Sequence, residues 1–234
     1  HIIATNANQG TSVFAIDMDG DGDTDVLAAS AFDDRFFWYE NDGDENFTSH
    51  TISTNVNSPQ SVFAIDVDGD SDIDVLSASL IDAKIAWYEN DGDENFTQHV
   101  ISTEANLAAQ VFAIDVDGDG DIDALSASSG NDKVTWYEND GDENFTTHVI
   151  TSEADYAISV DAADVDGDSD LDILSASRED NTISWYENDG DENFTTHIIS
   201  TGAVKAIRVL ARDIDGDGDM DVLSASALDG EINW

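Results

Sequence analysis

The chain has no cysteine, a single proline and only seven basic residues among 234. The absent thiols exclude disulfides, cysteine nucleophiles and thiolate metal sites, and they leave the compartment open. So few Lys and Arg, against 53 acidic residues and a formal net charge of −46, exclude nucleic acid and anionic lipid as partners, since both are held through clustered cations. There is no run of about 18 apolar residues, so no membrane insertion is expected. No signal peptide is recognisable, and a start at His1 reads as a processed or partial chain. Hydrophobic residues make up 40% and aromatics 9%, enough for a core. A folded chain of this charge needs cations placed locally, or must tolerate its own repulsion; cations are the expectation.

The acids are not scattered. In "AIDVDGDGDIDAL" (Ala113 to Leu125) aspartate takes five alternate positions, and the pattern returns at Asp17, Asp66, Asp115, Asp164 and Asp213, always 49 residues apart. Every tryptophan (Trp38, Trp87, Trp136, Trp185, Trp234) and every histidine (His1, His50, His99, His148, His197) keeps the same register. The repeat comes before any other reading of the chain.

Within one period the runs are short and rich in Val, Ile, Phe, Trp, Tyr and Thr. "SVFAID" (Ser61 to Asp66) and "DVLSAS" (Asp74 to Ser79) flank the acidic loop, while "KIAWYE" (Lys84 to Glu89) and "FTQHVIS" (Phe96 to Ser102) flank the hairpin "NDGDEN". Pro59 falls in a connecting loop on this reading. Four strands per unit at this period predict an all-β fold: a single domain over 1–234, a five-bladed β-propeller of four-stranded antiparallel blades. "EINW" (Glu231 to Trp234) is then the third strand of the last blade, and "HIIAT" (His1 to Thr5) the fourth strand that closes it. A fragment of a longer array is the alternative.

Each acidic loop offers oxygen ligands at alternate positions, which suits calcium with its six to eight oxygens better than magnesium. The ligand positions are Asp17, Asp19, Asp21, Asp23 and Asp25; Asp66, Asp68, Asp70, Asp72 and Asp74; Asp115, Asp117, Asp119, Asp121 and Asp123; Asp164, Asp166, Asp168, Asp170 and Asp172; and Asp213, Asp215, Asp217, Asp219 and Asp221. The seventh position is expected to ligate through its carbonyl. Gly22, Gly120 and Gly218 let the chain turn at the sixth position, where Ser71 and Ser169 stand in the other two copies. About five calcium ions, one per blade, would clamp strands together in place of disulfides. A solvated acidic turn is the alternative.

Loops of the "DVDGDGDIDVL" type followed by "SAS" and "WYENDG" resemble the FG-GAP and VCBS repeat family, which includes integrin α-subunit propellers. The resemblance covers the whole chain. It implies calcium in the loop joining the first two strands of a blade, and roles in adhesion, lectin activity or as an accessory domain of a secreted enzyme.

Other residues carry weaker signals. Asn46, Asn95, Asn144 and Asn193 begin N-F-T sequons and are glycan acceptors or simple turn residues. The histidines, one per blade, read as structural. Asp161 and Arg212 replace the apolar residues of other copies and are expected to pair. The loops "TNVNSPQ" (Thr54 to Gln60), "SEADYAI" (Ser152 to Ile158) and "TGAVKAI" (Thr201 to Ile207) vary among copies, with Tyr156 and Arg178 as isolated features. No catalytic constellation emerges, so no enzyme is expected. The reading is an extracellular or cell-surface calcium-binding module that recognises glycan or protein. Its alternative is a structural subunit of a filament or surface assembly, in which copies of the chain exchange the His1 to Thr5 strand.

Overall fold

Apolar residues alternate with polar ones over six or seven positions and then stop at Asp-Gly pairs, a pattern that makes strands and tight turns. A computed structural model of the chain describes residues 1–5 and 7–234. All regular elements among the described residues are β-strands. Repeat one forms the sheet β1 (Gly10–Ile16), β2 (Asp25–Ser30), β3 (Arg35–Asn41) and β4 (Phe47–Ser53), in that order. The same meander recurs as β5 (Pro59–Ile65) to β8 (Phe96–Ser102) through β6 (Asp74–Ser79) and β7 (Lys84–Asn90). It recurs again as β9 (Ala108–Ile114), β10 (Asp123–Ser128), β11 (Lys133–Asn139) and β12 (Phe145–Thr151), and as β13 (Ala157–Ala163), β14 (Asp172–Ser177), β15 (Thr182–Asn188) and β16 (Phe194–Ser200). The last sheet has three strands, β17 (Ala206–Arg212), β18 (Asp221–Ser226) and β19 (Ile232–Asn233).

The chain divides into two compact units, His1–Val111 and Phe112–Trp234. In the first, Leu27, Phe36 and Trp38 pack with Val62, Val75 and Tyr88 in one cluster, and Phe36 meets Tyr88 edge-on at 5.7 Å. In the second, Leu125, Val134 and Trp136 pack with Val160, Ile173 and Tyr186, while Leu174 and Ile183 meet Val209 and Ala211. The second strands β6, β10 and β14 are buried along their whole length, whereas the outer strands β8, β12 and β16 are half-buried or exposed throughout. Each large aliphatic or aromatic side chain so buried contributes about 1.5–3 kcal/mol.

Two expectations change. Pro59 is the first residue of β5 rather than part of the loop before it, a place where a missing N–H breaks no ladder. His1 to Thr5 form no strand, and the last sheet is not completed by them. Ala4 instead packs against Phe37 and Tyr39 of its own first sheet, and His1 Nδ1 lies 3.4 Å from Glu45 Oε2. Among these residues Ala4 makes the apolar contact, while Ile2 and Ile3 are exposed.

Candidate metal centre

Carboxylates two residues apart can each accept the backbone N–H two or three residues on, which coils the chain into successive Asx turns. In repeat three Asp115 accepts from Gly118 N at 2.8 Å and Gly120 N at 3.0 Å, Asp117 from Asp119 N at 3.1 Å, and Asp119 from Asp121 N at 2.9 Å. The other loops repeat this from Asp17, Asp66, Asp164 and Asp213, then from Asp19, Asp68, Asp166 and Asp215, and from Asp21, Asp70, Asp168 and Asp217. Gly120 sits at φ +102°, and Ser71 and Ser169 reach +84° and +83° at the same position, so the serine copies keep the turn.

The ninth residue is the hinge of the site. Asp25, Asp74, Asp123 and Asp172 are buried to within 1%. One oxygen of each accepts from the second loop residue at 2.9 to 3.0 Å, and the other from the Asn that ends the third strand at 2.7 to 2.9 Å. Asp221 accepts from Ile214 N in the same way. Burial pushes the Asp74 and Asp123 carboxyls up to about 6, against the pull of their backbone donors. The indole N–H of Trp87 faces Asp74 and lowers it slightly, short of true hydrogen-bond geometry.

These placements draw oxygens together. Ligand atoms of Asp17, Asp19 and Asp25 lie within 4.8 Å of one another, as do those of Asp115, Asp117 and Asp123, of Asp164, Asp166 and Asp172, and of Asp66, Asp68 and Asp70. Desolvation, followed by the neighbouring carboxylates, raises the third-position acids Asp19, Asp68, Asp117 and Asp166. Hard oxygen donors whose mutual repulsion a cation would relieve fit a calcium ion, and residues one, three, five and nine would hold it. The seventh side chains Asp72, Asp121 and Asp170 lie beside Gly92, Gly141 and Gly190 of the hairpin, where a Cβ would stand, as Asp23 does beside Gly43. Asp219 lines a cleft with Asp164 and Asp166.

Sequence reasoning missed the glutamate that follows each Trp-Tyr pair. Glu40, Glu89, Glu138 and Glu187 raise the third-position aspartates by their charge and also bind His50, His99, His148 and His197 through Nε2 at 2.6 to 2.7 Å. Each of these histidines stacks on the Trp opposite it, at 4.5 to 4.6 Å between ring centres, which supports their structural reading. The exposed Asn46, Asn95, Asn144 and Asn193 give their amide nitrogens to Asp42, Asp91, Asp140 and Asp189, a turn-closing role. Tyr156 and Arg178 are not isolated, since the guanidinium lies over the ring at 5.7 Å.

The model for the FG-GAP-like repeat matches residues 17–77, 66–126, 115–175 and 164–224, each match starting on the first aspartate of a loop. A functionally unknown protein from Desulfotomaculum acetoxidans DSM 771 has 16% identity and a TM-score of 0.65, with 99% of this chain and 70% of that one covered. BBS1N, solved in complex with ARL6DN, has 13% identity and a TM-score of 0.59, with 99% and 69% covered. The V. cholerae biofilm matrix protein Bap1 has 19% identity and a TM-score of 0.56, with 96% of this chain and 36% of Bap1 covered. At such identities the likeness is one of fold. No curated protein sequence matches the chain. The repeat period, the acidic loops and a family match running from residue 17 to residue 224 agree, and the chain belongs to the FG-GAP-like repeat family.

Proposed function

We propose that the chain is a non-catalytic calcium-binding domain of an extracellular or cell-surface protein, whose sheets are propeller blades and which recognises a glycan or a protein. The observation that carries this reading is the carboxylate cluster that recurs in each matched repeat on the same three or four loop positions. None of these carboxylates has a Lys or Arg ion pair among the described residues. Millimolar extracellular calcium fills even sites with dissociation constants of about 10⁻⁴–10⁻³ M. The variable loops, with Tyr156 under Arg178, supply the recognition surface. Calorimetric titration of chelator-stripped protein tests the metal reading: it expects about five calcium ions per chain and weaker binding of magnesium. Absence of calcium heat, with a melting temperature indifferent to chelator, would overturn it.

A second reading, a structural component of an extracellular matrix that associates with its own copies, draws support from the fold likeness to a biofilm matrix protein. Light scattering coupled to size exclusion in calcium separates the two, because the recognition module is a monomer and the matrix component is not.

A further inference from the structure

Repeats two and four present the same cleft with different contents. In repeat two Lys84 is buried and sends its ammonium inward, where Nζ donates to the Asn55 carbonyl at 2.8 Å and lies 3.0 Å from Asp82 Oδ2. Gln98 covers it, donating to the Tyr88 hydroxyl at 2.8 Å and accepting from Asn55 Nδ2 at 2.7 Å. Two repeats on, Glu153 stands for Asn55, Asp180 for Asp82, Thr182 for Lys84, Tyr186 for Tyr88 and Thr196 for Gln98. Both long side chains that fill the cleft have become threonine. What remains is a cavity of about 160 Å³ whose walls include Glu153, Asp180, Thr182, Ser184, Tyr186 and Thr196.

The acid of the pair survives in repeat four while its cation does not. Arg35 and Lys133 hold the position of Lys84 in repeats one and three, so Thr182 departs from three basic copies. Glu153 adds a second carboxylate where repeat two has an amide. The floor of the cleft is buried, with Thr182, Ser184 and Tyr186 at 7%, 4% and 2% exposure. Desolvation raises the Asp180 carboxyl above the ordinary value against the pull of Thr182, whose N–H donates to Oδ1 at 3.2 Å, and among the described residues no Lys or Arg forms an ion pair with it. The volume falls below the roughly 300 Å³ at which sites for drug-sized ligands begin, so the cavity suits one side-chain-sized group rather than an oligosaccharide.

We propose that this cleft binds a primary alkylammonium group, the ligand's nitrogen taking between Asp180 and the Glu153 carbonyl the place that Lys84 Nζ holds in repeat two. A lysine side chain of a partner protein and a free polyamine both carry that chemistry. The three N–H donors of the ammonium match the carboxylate and carbonyl acceptors, whereas a quaternary ammonium of the same charge has no proton to give. The inference is independent of what the acidic loops bind.

The test uses the full chain, ¹⁵N-labelled and saturated with calcium, titrated with Nα-acetyl-lysine amide, spermidine and tetramethylammonium. Amide signals of Glu153, Asp180, Thr182 and Thr196 are expected to shift saturably with the two amines and to ignore tetramethylammonium. Asp180→Asn is expected to weaken binding by about tenfold or more, the cost of one charge-assisted hydrogen bond. Thr182→Lys with Thr196→Gln rebuilds the repeat-two filling and should abolish binding while raising the melting temperature, so loss of binding there is not loss of fold. Tighter binding of the lysine derivative assigns the site to a protein partner, and tighter binding of spermidine to a free polyamine. The proposal falls if no cleft signal moves, or if the shifts spread over the acidic loops and persist in the double variant.

Discussion

The carboxylate of Asp121 stands against Gly141, its Oδ2 2.5 Å from where a Cβ on that glycine would be. Gly141 also lies at φ +75°, so two demands meet at one residue. The seventh loop residue thereby occupies the space beside the hairpin turn that only a glycine leaves free. Gly141→Ala is expected to destabilise by about 1–3 kcal/mol through the backbone conformation, plus the displacement of Asp121. Denaturant unfolding of Gly141→Ala with and without Asp121→Ala separates the two, because only the displacement is relieved in the double variant.

Asp161 and Arg212 form the expected pair at 3.6 Å, but the two ends of it differ. Asp161 is 2% exposed and accepts from Ala211 N at 2.8 Å, while the Arg212 side chain is 63% exposed. Asp161→Ala strands a buried backbone donor and should cost about 1–3 kcal/mol. Arg212→Ala should cost less than about 1 kcal/mol, as for a solvent-screened ion pair. Equal losses from the two variants would contradict the assignment of the backbone bond as the main contact.

On the proposed function, each filled metal site would stabilise the fold by about 2.7 kcal/mol when free calcium is 100-fold above its dissociation constant. Chelator should therefore lower the melting temperature. Asp115→Asn with Asp117→Asn is expected to remove one ion from the calorimetric count and to leave the remaining sites titrating. Differential scanning calorimetry in graded calcium checks the first expectation.

Burial gives the metal-free fold an unusual pH dependence. Asp74 and Asp123 titrate near about 6 when folded and near 3.8 in the unfolded chain, so the folded state holds more protons between those values. Their contribution is fully present below the unfolded value and is lost as pH rises through about 6. Calcium binding as proposed needs the ionised acids and would release those protons. Calorimetry in buffers of different ionisation enthalpy should show more proton release near pH 6 than near pH 8. Asp74→Asn with Asp123→Asn should flatten the fall in metal-free stability over that window.

His148 caps Trp136 at 4.6 Å and binds Glu138 at 2.6 Å. His148→Ala should cost about 1–2 kcal/mol from the stack and the hydrogen bond together. His148→Phe keeps the aromatic contact and is expected to recover part of that loss in the same unfolding measurement.

Strands were legible because their signals are local. In β5 to β8, alternation and the Asp-Gly turns placed every boundary within a residue or two, and the Asn-Asp-Gly-Asp-Glu-Asn hairpin joined the strands it was expected to join. The acidic loops were legible for the same reason, since an Asx turn depends on residues two or three apart. Glu138 was not, because its position two after Trp136 says nothing of the histidine and the aspartate loop it serves. Nor was the contact of Arg178 with Tyr156, which lie 22 positions apart and meet only once β13 and β14 have paired.

By itself the sequence determined the period, the strand order within each repeat and which carboxylates crowd one loop, all consequences of spacing along the chain. Only the tertiary structure decided that the ninth aspartate is buried and shared between two backbone donors, that the seventh faces a glycine, and that His1 to Thr5 lie against the first sheet without pairing. It also decided that the positions of Lys84 and Gln98, which fill a cleft in repeat two, border a cavity in repeat four. Those outcomes depend on which strand packs beside which, and on the volume left between them. Neither quantity is carried by the residues of any single segment.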